Sequence, residues 1–131
     1  MSIPLKYQRP AIWWALFILI FCNMPMGPVT KSPLFFAGFD KLVHCGLFFL
    51  FTIFTGSGFI RQYGNRHFTL IAAIKVLGLA ILYGGLIELL QTYVFTWRTG
   101  DWNDLLADTI GAGMGVFSIL VVLYASANEK D

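Results

Sequence analysis

Five acidic side chains interrupt an otherwise apolar chain: Asp40, Glu88, Asp101, Asp104 and Asp108. The stretch "RTGDWNDLLADTIGAGMG" (98–115) puts three of them at the mouth of a glycine-rich apolar run, at i, i+3 and i+7. That spacing lays them along one face of a helix. Asp40 and His44 lie four apart and stack on one face of a second helix, and Glu88 and Gln91 lie three apart on a third. A carboxylate one turn from an imidazole is an arrangement that orients a general base. Asp40, His44, Glu88 and Asp108 therefore read as the acid–base groups. Arg98 and Lys41 offer a fork and a point charge for anionic oxygens, and Gln91, Asp101 and Asp104 complete the substrate-binding set. Simpler roles compete. Asp101 and Asp104 suit the capping of a helix N-terminus, whereas Asp108 lies a turn too deep for that. A buried structural pair of Glu88 with Arg98 or His44 is the alternative for Glu88.

The elements that position these groups are apolar helices. Of 131 residues, 57% are hydrophobic and 12% charged, about half the charged share of an ordinary soluble domain. Aromatics make up 17%, and mean hydropathy is +0.71. Such a chain cannot cover a water-facing surface with polar groups, so lipid is its solvent. The net charge of +2 is too small, and the basic residues too scattered, for nucleic acid. Cys22 and Cys45 fit no metal or redox spacing and read as free thiols packed as small apolar residues.

The expected fold is all-α, a polytopic membrane protein of one domain over 1–131. It has four transmembrane helices at about 8–26, 41–60, 69–96 and 104–125. The first apolar run, Pro10 to Met24, is short for a span of about 20 residues and recruits Leu5 and Tyr7. No small-x-small cleavage pattern follows it, so it reads as an uncleaved helix. Lys6, Arg9, Arg61, Arg66 and Lys130 fall on one side, against Lys31, Lys41 and Arg98 on the other, while Lys75 snorkels to the first. The bias places both termini in the cytoplasm and the chain in the cytoplasmic (inner) membrane. All five acids then lie in the outer half, with Glu88 about 9 Å below its helix end at 1.5 Å per residue. One polar stripe per helix, turned inward, makes a polar crevice open to the outside. Ala107, Gly111 and Gly115 form a small-residue ladder for close helix packing.

Three segments, "FDKLVHCGLFFLFT" (39–52), "LYGGLIELLQ" (82–91) and "RTGDWNDLLADTIGAGMG" (98–115), resemble the VanZ-like membrane proteins. That family is named after an accessory protein that gives low-level resistance to the glycopeptide teicoplanin. Three separated motifs occur in the right order, each on its own helix, and the resemblance covers about 40–115. The family's polar pattern falls on Asp40, Lys41, His44, Glu88, Gln91, Arg98, Asp101, Asp104 and Asp108. One position departs: the family commonly carries Asn where this chain has Asp108. The resemblance implies action on a lipid head group or lipid-linked cell-envelope precursor, by hydrolysis or transfer, with an effect on glycopeptide susceptibility.

In that scheme the partners are membrane lipids and a phosphate-bearing, lipid-linked substrate. Arg98 and Lys41 clamp its oxygens, His44 oriented by Asp40 acts as base or nucleophile, and Glu88 serves as acid or base. The acids outnumber the cations around them, so either some carboxyls stay protonated or a divalent cation such as Mg²⁺ bridges them to phosphate. No residues have the fixed spacing of a dedicated metal site, and none is assigned as a ligand. Two other functions compete: a non-catalytic protein that binds lipid or glycopeptide in the same crevice, and a small proton-coupled exporter. The exporter ranks last, because alternating access needs polar lining toward both faces. Here the inner halves offer only Thr52, Ser57 and Lys75.

Overall fold

The computed structural model describes residues 5–23, 39–94 and 102–129. Four α-helices follow in order: α1 (Arg9–Asn23), α2 (Phe39–Tyr63), α3 (Leu70–Tyr93) and α4 (Trp102–Glu129). A 3-10 turn, Leu5–Gln8, leads into α1, and another, Asn65–His67, joins α2 to α3. There is no strand among the described residues.

Local chemistry sets the boundaries. Gly64, at φ +94° and ψ 162°, takes an extended positive-φ conformation open to glycine that stops α2, and its N–H still reaches the Ile60 carbonyl at 2.7 Å. Thr69 caps α3, its hydroxyl accepting the Ala72 N–H at 3.3 Å. The helices lie close to the expected segments, but α2 runs on to Tyr63, and α4 extends the 104–125 segment at both ends.

Three helical stretches are long and apolar enough to cross a bilayer: Lys41–Tyr63, Leu70–Tyr93 and Trp102–Ser126. The helix α1 has 15 residues and by itself reaches only about 22 Å, short of a hydrocarbon core of about 30 Å. Large apolar side chains point away from the protein on every helix. Ile20 is 65% exposed, Leu82 74% and Phe117 67%. Outward faces this apolar are stable only against lipid.

The most extensive interface is α2 against α4, followed by α3 against α4. A Cβ at Gly111 would collide with the carbonyl of Cys45, and one at Gly115 with the hydroxyl of Thr52. The small-residue ladder therefore lets α4 lie directly on α2, with Ala107 buried one turn earlier. The Thr52 hydroxyl is itself satisfied along its own helix, by the Phe49 carbonyl at 2.9 Å. One apolar cluster joins Ile18, Phe48, Phe51, Ala80, Ile87 and Ala112. A second, nearer the 61–68 turn, joins Phe68, Ala73, Val76, Val116 and Ile119.

The helix α1 docks through side chains that reach backbone carbonyls. Trp14 Nε1 donates to Leu47 O at 2.8 Å, Gln8 Nε2 to Thr55 O at 3.2 Å, and the Tyr83 hydroxyl to Ala15 O. Gln91 Nε2 donates to Cys22 O at 2.8 Å. These contacts make α1 run parallel to α3 and antiparallel to α2. Cys22 and Cys45 are both free thiols.

Gly111→Ala is expected to destabilise the detergent-solubilised protein by about 1–3 kcal/mol through overpacking at the α2–α4 contact. Gly113→Ala, where a Cβ meets nothing within 4 Å, is expected to be neutral or stabilising by up to about 1 kcal/mol. Thermal unfolding of the two variants side by side checks the pair.

Candidate active site at one end of the bundle

The first turns of α2 and α4 lie side by side, with the last two turns of α3 against them. Lys41 and His44 are three apart on α2, Asp104 and Asp108 four apart on α4. Each pair occupies one face of its helix, and the two faces meet. Lys41 Nζ lies 2.7 Å from Asp104 Oδ1. His44 Nδ1 lies 2.9 Å from Asp108 Oδ1, and its Nε2 3.7 Å from Asp104 Oδ2. The imidazole thus sits between two carboxylates of α4. With Asp108 ionised, that carboxylate has only acceptors, so Nδ1 carries the proton and donates. Nε2 then faces Asp104.

The third side belongs to α3. Gly84, Glu88 and Gln91, at i, i+4 and i+7, share one buried strip. Gly84 makes room for the Asp108 carboxyl, since a Cβ there would stand 2.9 Å from Oδ2. Ligand atoms of His44, Glu88 and Asp108 all lie within 4.8 Å of one another. The group is sealed from the surface: His44 is 3% exposed, Glu88, Gln91 and Asp108 each 1%. Gln91 spends its amide N–H on the Cys22 carbonyl, which brings α1 to the rim. Its Oε1, like Asp108 Oδ2, is buried with no hydrogen-bond partner among the described residues.

Of the residues singled out from sequence, Lys41, His44, Glu88, Gln91, Asp104 and Asp108 come together at this end. Asp40 lies in the first turn of α2, but its side chain, like all of Arg98 and Asp101, lies outside the described residues. Among the described residues, the partners of His44 are Asp108 and Asp104 across the helix interface. Lys41, expected to clamp substrate oxygens, is engaged with Asp104. Asp104 in turn directs its carboxylate at α2, not only at its own helix N-terminus.

Sequence reasoning passed over two residues that shape the site. Gly84 precedes Glu88 by one turn on the same face, and its spacing to Glu88 was the available signal. Tyr83 ties α3 to α1 through its hydroxyl. No spacing rule marks it, because its partner is a backbone carbonyl on another helix.

Three apolar helices of spanning length, with a buried ionisable cluster at one end, mark an all-helical chain of membrane-protein type. The chain belongs to the VanZ/LLP1 family, whose model matches residues 3–124. No curated protein and no solved structure gives a significant match.

Removing one side of a buried charge-assisted hydrogen bond costs more than removing both. Asp108→Ala is expected to lower unfolding stability by about 1.5–3 kcal/mol. The double variant His44→Leu/Asp108→Leu is expected to regain most of that loss. Denaturation of the purified variants in one detergent measures both.

Proposed function

We propose that this protein works at head-group depth in the outer leaflet of the cytoplasmic membrane, on a lipid head group or a lipid-linked cell-envelope precursor. The observation that carries the proposal is the imidazole of His44 held between Asp108 at 2.9 Å and Asp104 at 3.7 Å, with Glu88 beside it. Folding alone gives little reason to keep such a cluster, because apolar residues of similar volume would be as stable or more so. Ionisable groups retained inside a membrane bundle usually serve function.

The topology in this scheme has four spans, one domain, and both termini in the cytoplasm. Residues 5–23 are helical without a break, a 3-10 turn running into α1. At about 2 Å per residue for the turn and 1.5 Å for the helix, they cover about 30 Å, one hydrocarbon thickness. Lys6, Arg9, Arg61 and Arg66 gather at the end opposite the site, which supports an outward-facing site under the positive-inside rule.

In the chemistry proposed, His44 takes a proton from, or gives one to, the reacting oxygen, while Asp108 holds the ring's tautomer and orientation. Glu88 is the second acid–base group. The Gln91 carbonyl accepts from a substrate hydroxyl or amide, and the Lys41–Asp104 pair sets the rim. Asp40, Asp101 and Arg98 complete that rim, with Arg98 the cation for a phosphate group.

A second reading draws support from the same geometry. Both ring nitrogens of His44 face carboxylates of the protein, and the ring is 3% exposed, which suits a polar lock in a protein that binds lipid or glycopeptide without turnover. The test is complementation of a deletion strain by wild type, His44→Gln and Glu88→Gln at matched membrane levels, read by lipid profile and teicoplanin susceptibility. Head-group chemistry expects wild type alone to restore both. If both variants restore both readouts, acid–base chemistry is excluded and binding remains.

A further inference from the structure

We propose that His44, Glu88 and Asp108 form a binding site for one divalent transition-metal ion, of which Zn²⁺ is the best match. The three residues sit on three different helices, and each presents a ligand atom within 4.8 Å of the other two. Two of those groups stand near ligand spacing. Donors about 2.0–2.1 Å from a tetrahedral metal lie about 3.3 Å apart. His44 Nδ1 and Asp108 Oδ1, hydrogen-bonded at 2.9 Å, reach that spacing by opening a few tenths of an ångström once the proton between them leaves. Glu88 closes the triangle by a rotamer adjustment of its flexible stem.

A second observation is independent of that spacing. Asp108 Oδ2 is buried, with no hydrogen-bond partner among the described residues. It lies against Gly84, one turn from Glu88 on the same buried strip of α3. A buried acceptor left without a partner is costly to the fold. Gln91 Oε1, one turn beyond Glu88 on the same strip, is a second buried acceptor with no partner. Oxygen atoms with spare lone pairs beside an imidazole are what a cation needs.

The donor set selects the ion. Mg²⁺ prefers oxygen and water in octahedral geometry, whereas one imidazole with two carboxylates suits Zn²⁺, which ranks above Mn²⁺ in intrinsic affinity. Asp104, engaged by Lys41 at 2.7 Å and 3.7 Å from His44 Nε2, is a neighbour that orients the ring and not a ligand. Bound metal requires His44 to present Nδ1 as a lone pair, so the proton moves to Nε2, where Asp104 receives it as a hydrogen bond; in the metal-loaded protein His44 and Asp108 are therefore ligands in place of the acid–base pair proposed above.

Binding is measured on tag-free, chelator-stripped, full-length protein in nanodiscs, titrated with Co²⁺ and then Zn²⁺. Wild type is expected to bind one Co²⁺ per chain with visible d–d absorption, and Zn²⁺ to displace it. His44→Gln and Asp108→Asn are expected to weaken binding at least about 100-fold, beyond the range of outer-shell substitutions. His67→Gln, which alters the exposed histidine of the 65–67 turn, is expected to bind as wild type does. The proposal is overturned if wild type takes up neither ion below millimolar concentration, or if binding survives both site substitutions. It is equally overturned if binding is lost with His67. Should a site variant fail to fold, X-ray absorption of wild type loaded with Zn²⁺ decides. One imidazole among oxygen neighbours supports the site, and any other imidazole number overturns it. Because uptake is read without activity, failure here leaves head-group chemistry standing, and failure of complementation leaves the metal site standing.

Discussion

An ionised carboxylate cannot be left facing hydrocarbon, and that constraint sets how α2, α3 and α4 are turned toward one another. On insertion scales a charge costs about 2.5–3.5 kcal/mol at the centre of a spanning helix, and a buried end of a bundle is also a poor place for an unpaired one. Asp108 meets His44, Asp104 lies between Lys41 and His44, and Glu88 approaches the same ring from α3. Polarity thus decides which faces touch. Glycine decides how closely they do so. The hydrogen bond between His44 and Asp108 spans only 2.9 Å, a distance possible because Gly111 lets α4 rest on the backbone at Cys45 and Gly84 leaves space for the Asp108 carboxyl.

Away from this end the forces change. Between helices in lipid there is no hydrophobic gain in packing, so contact rests on close fit and on hydrogen bonds. The aromatic and aliphatic cluster of Phe48, Phe51, Ile87 and Ala112 supplies the fit. Trp14, Tyr83 and Gln91 supply the bonds that attach α1, each ending on a main-chain carbonyl. The helix α1 carries no charged group inward, so its attachment depends on these three side chains, on Gln8 in the turn before it and on the fit around Ile18 and Cys22. Gln91 links the two regimes, with its N–H on α1 and its carbonyl buried at the site.

Much of this was legible in the chain. Apolar runs and turn residues located all four helices, and the Ala107–Gly111–Gly115 spacing announced a close helix contact. Helical spacing singled out five residues that do gather, His44, Glu88, Gln91, Asp104 and Asp108, and charge added Lys41. What spacing could not supply was the partner of each. Sequence separation reports neighbours on one helix, which is why Asp40 stood out beside His44, while the partners that the structure supplies lie 60 and 64 positions away. Periodicity was also weak where it was needed most. On α3 the lipid face and the packed face are both apolar, so only Glu88, Gln91 and the glycine one turn earlier betray which side is inward. The same holds for Lys41: its charge is visible in the sequence, but its engagement with Asp104 depends on the rotation of two helices.

Central to this arrangement, His44 and Asp108, far apart in the chain, are hydrogen-bonded at the buried end of the bundle. Solid-state NMR on protein in lipid bilayers, with ¹⁵N-labelled histidine and ¹³C-labelled aspartate, measures this directly, since the other histidine, His67, is exposed in the turn at the opposite end. The account expects a His44 ring nitrogen within about 4 Å of an aspartate carboxyl carbon, as a hydrogen bond of ordinary length requires, and expects the coupling to disappear in Asp108→Leu. A His44 ring with no aspartate carboxyl carbon within that distance would contradict it.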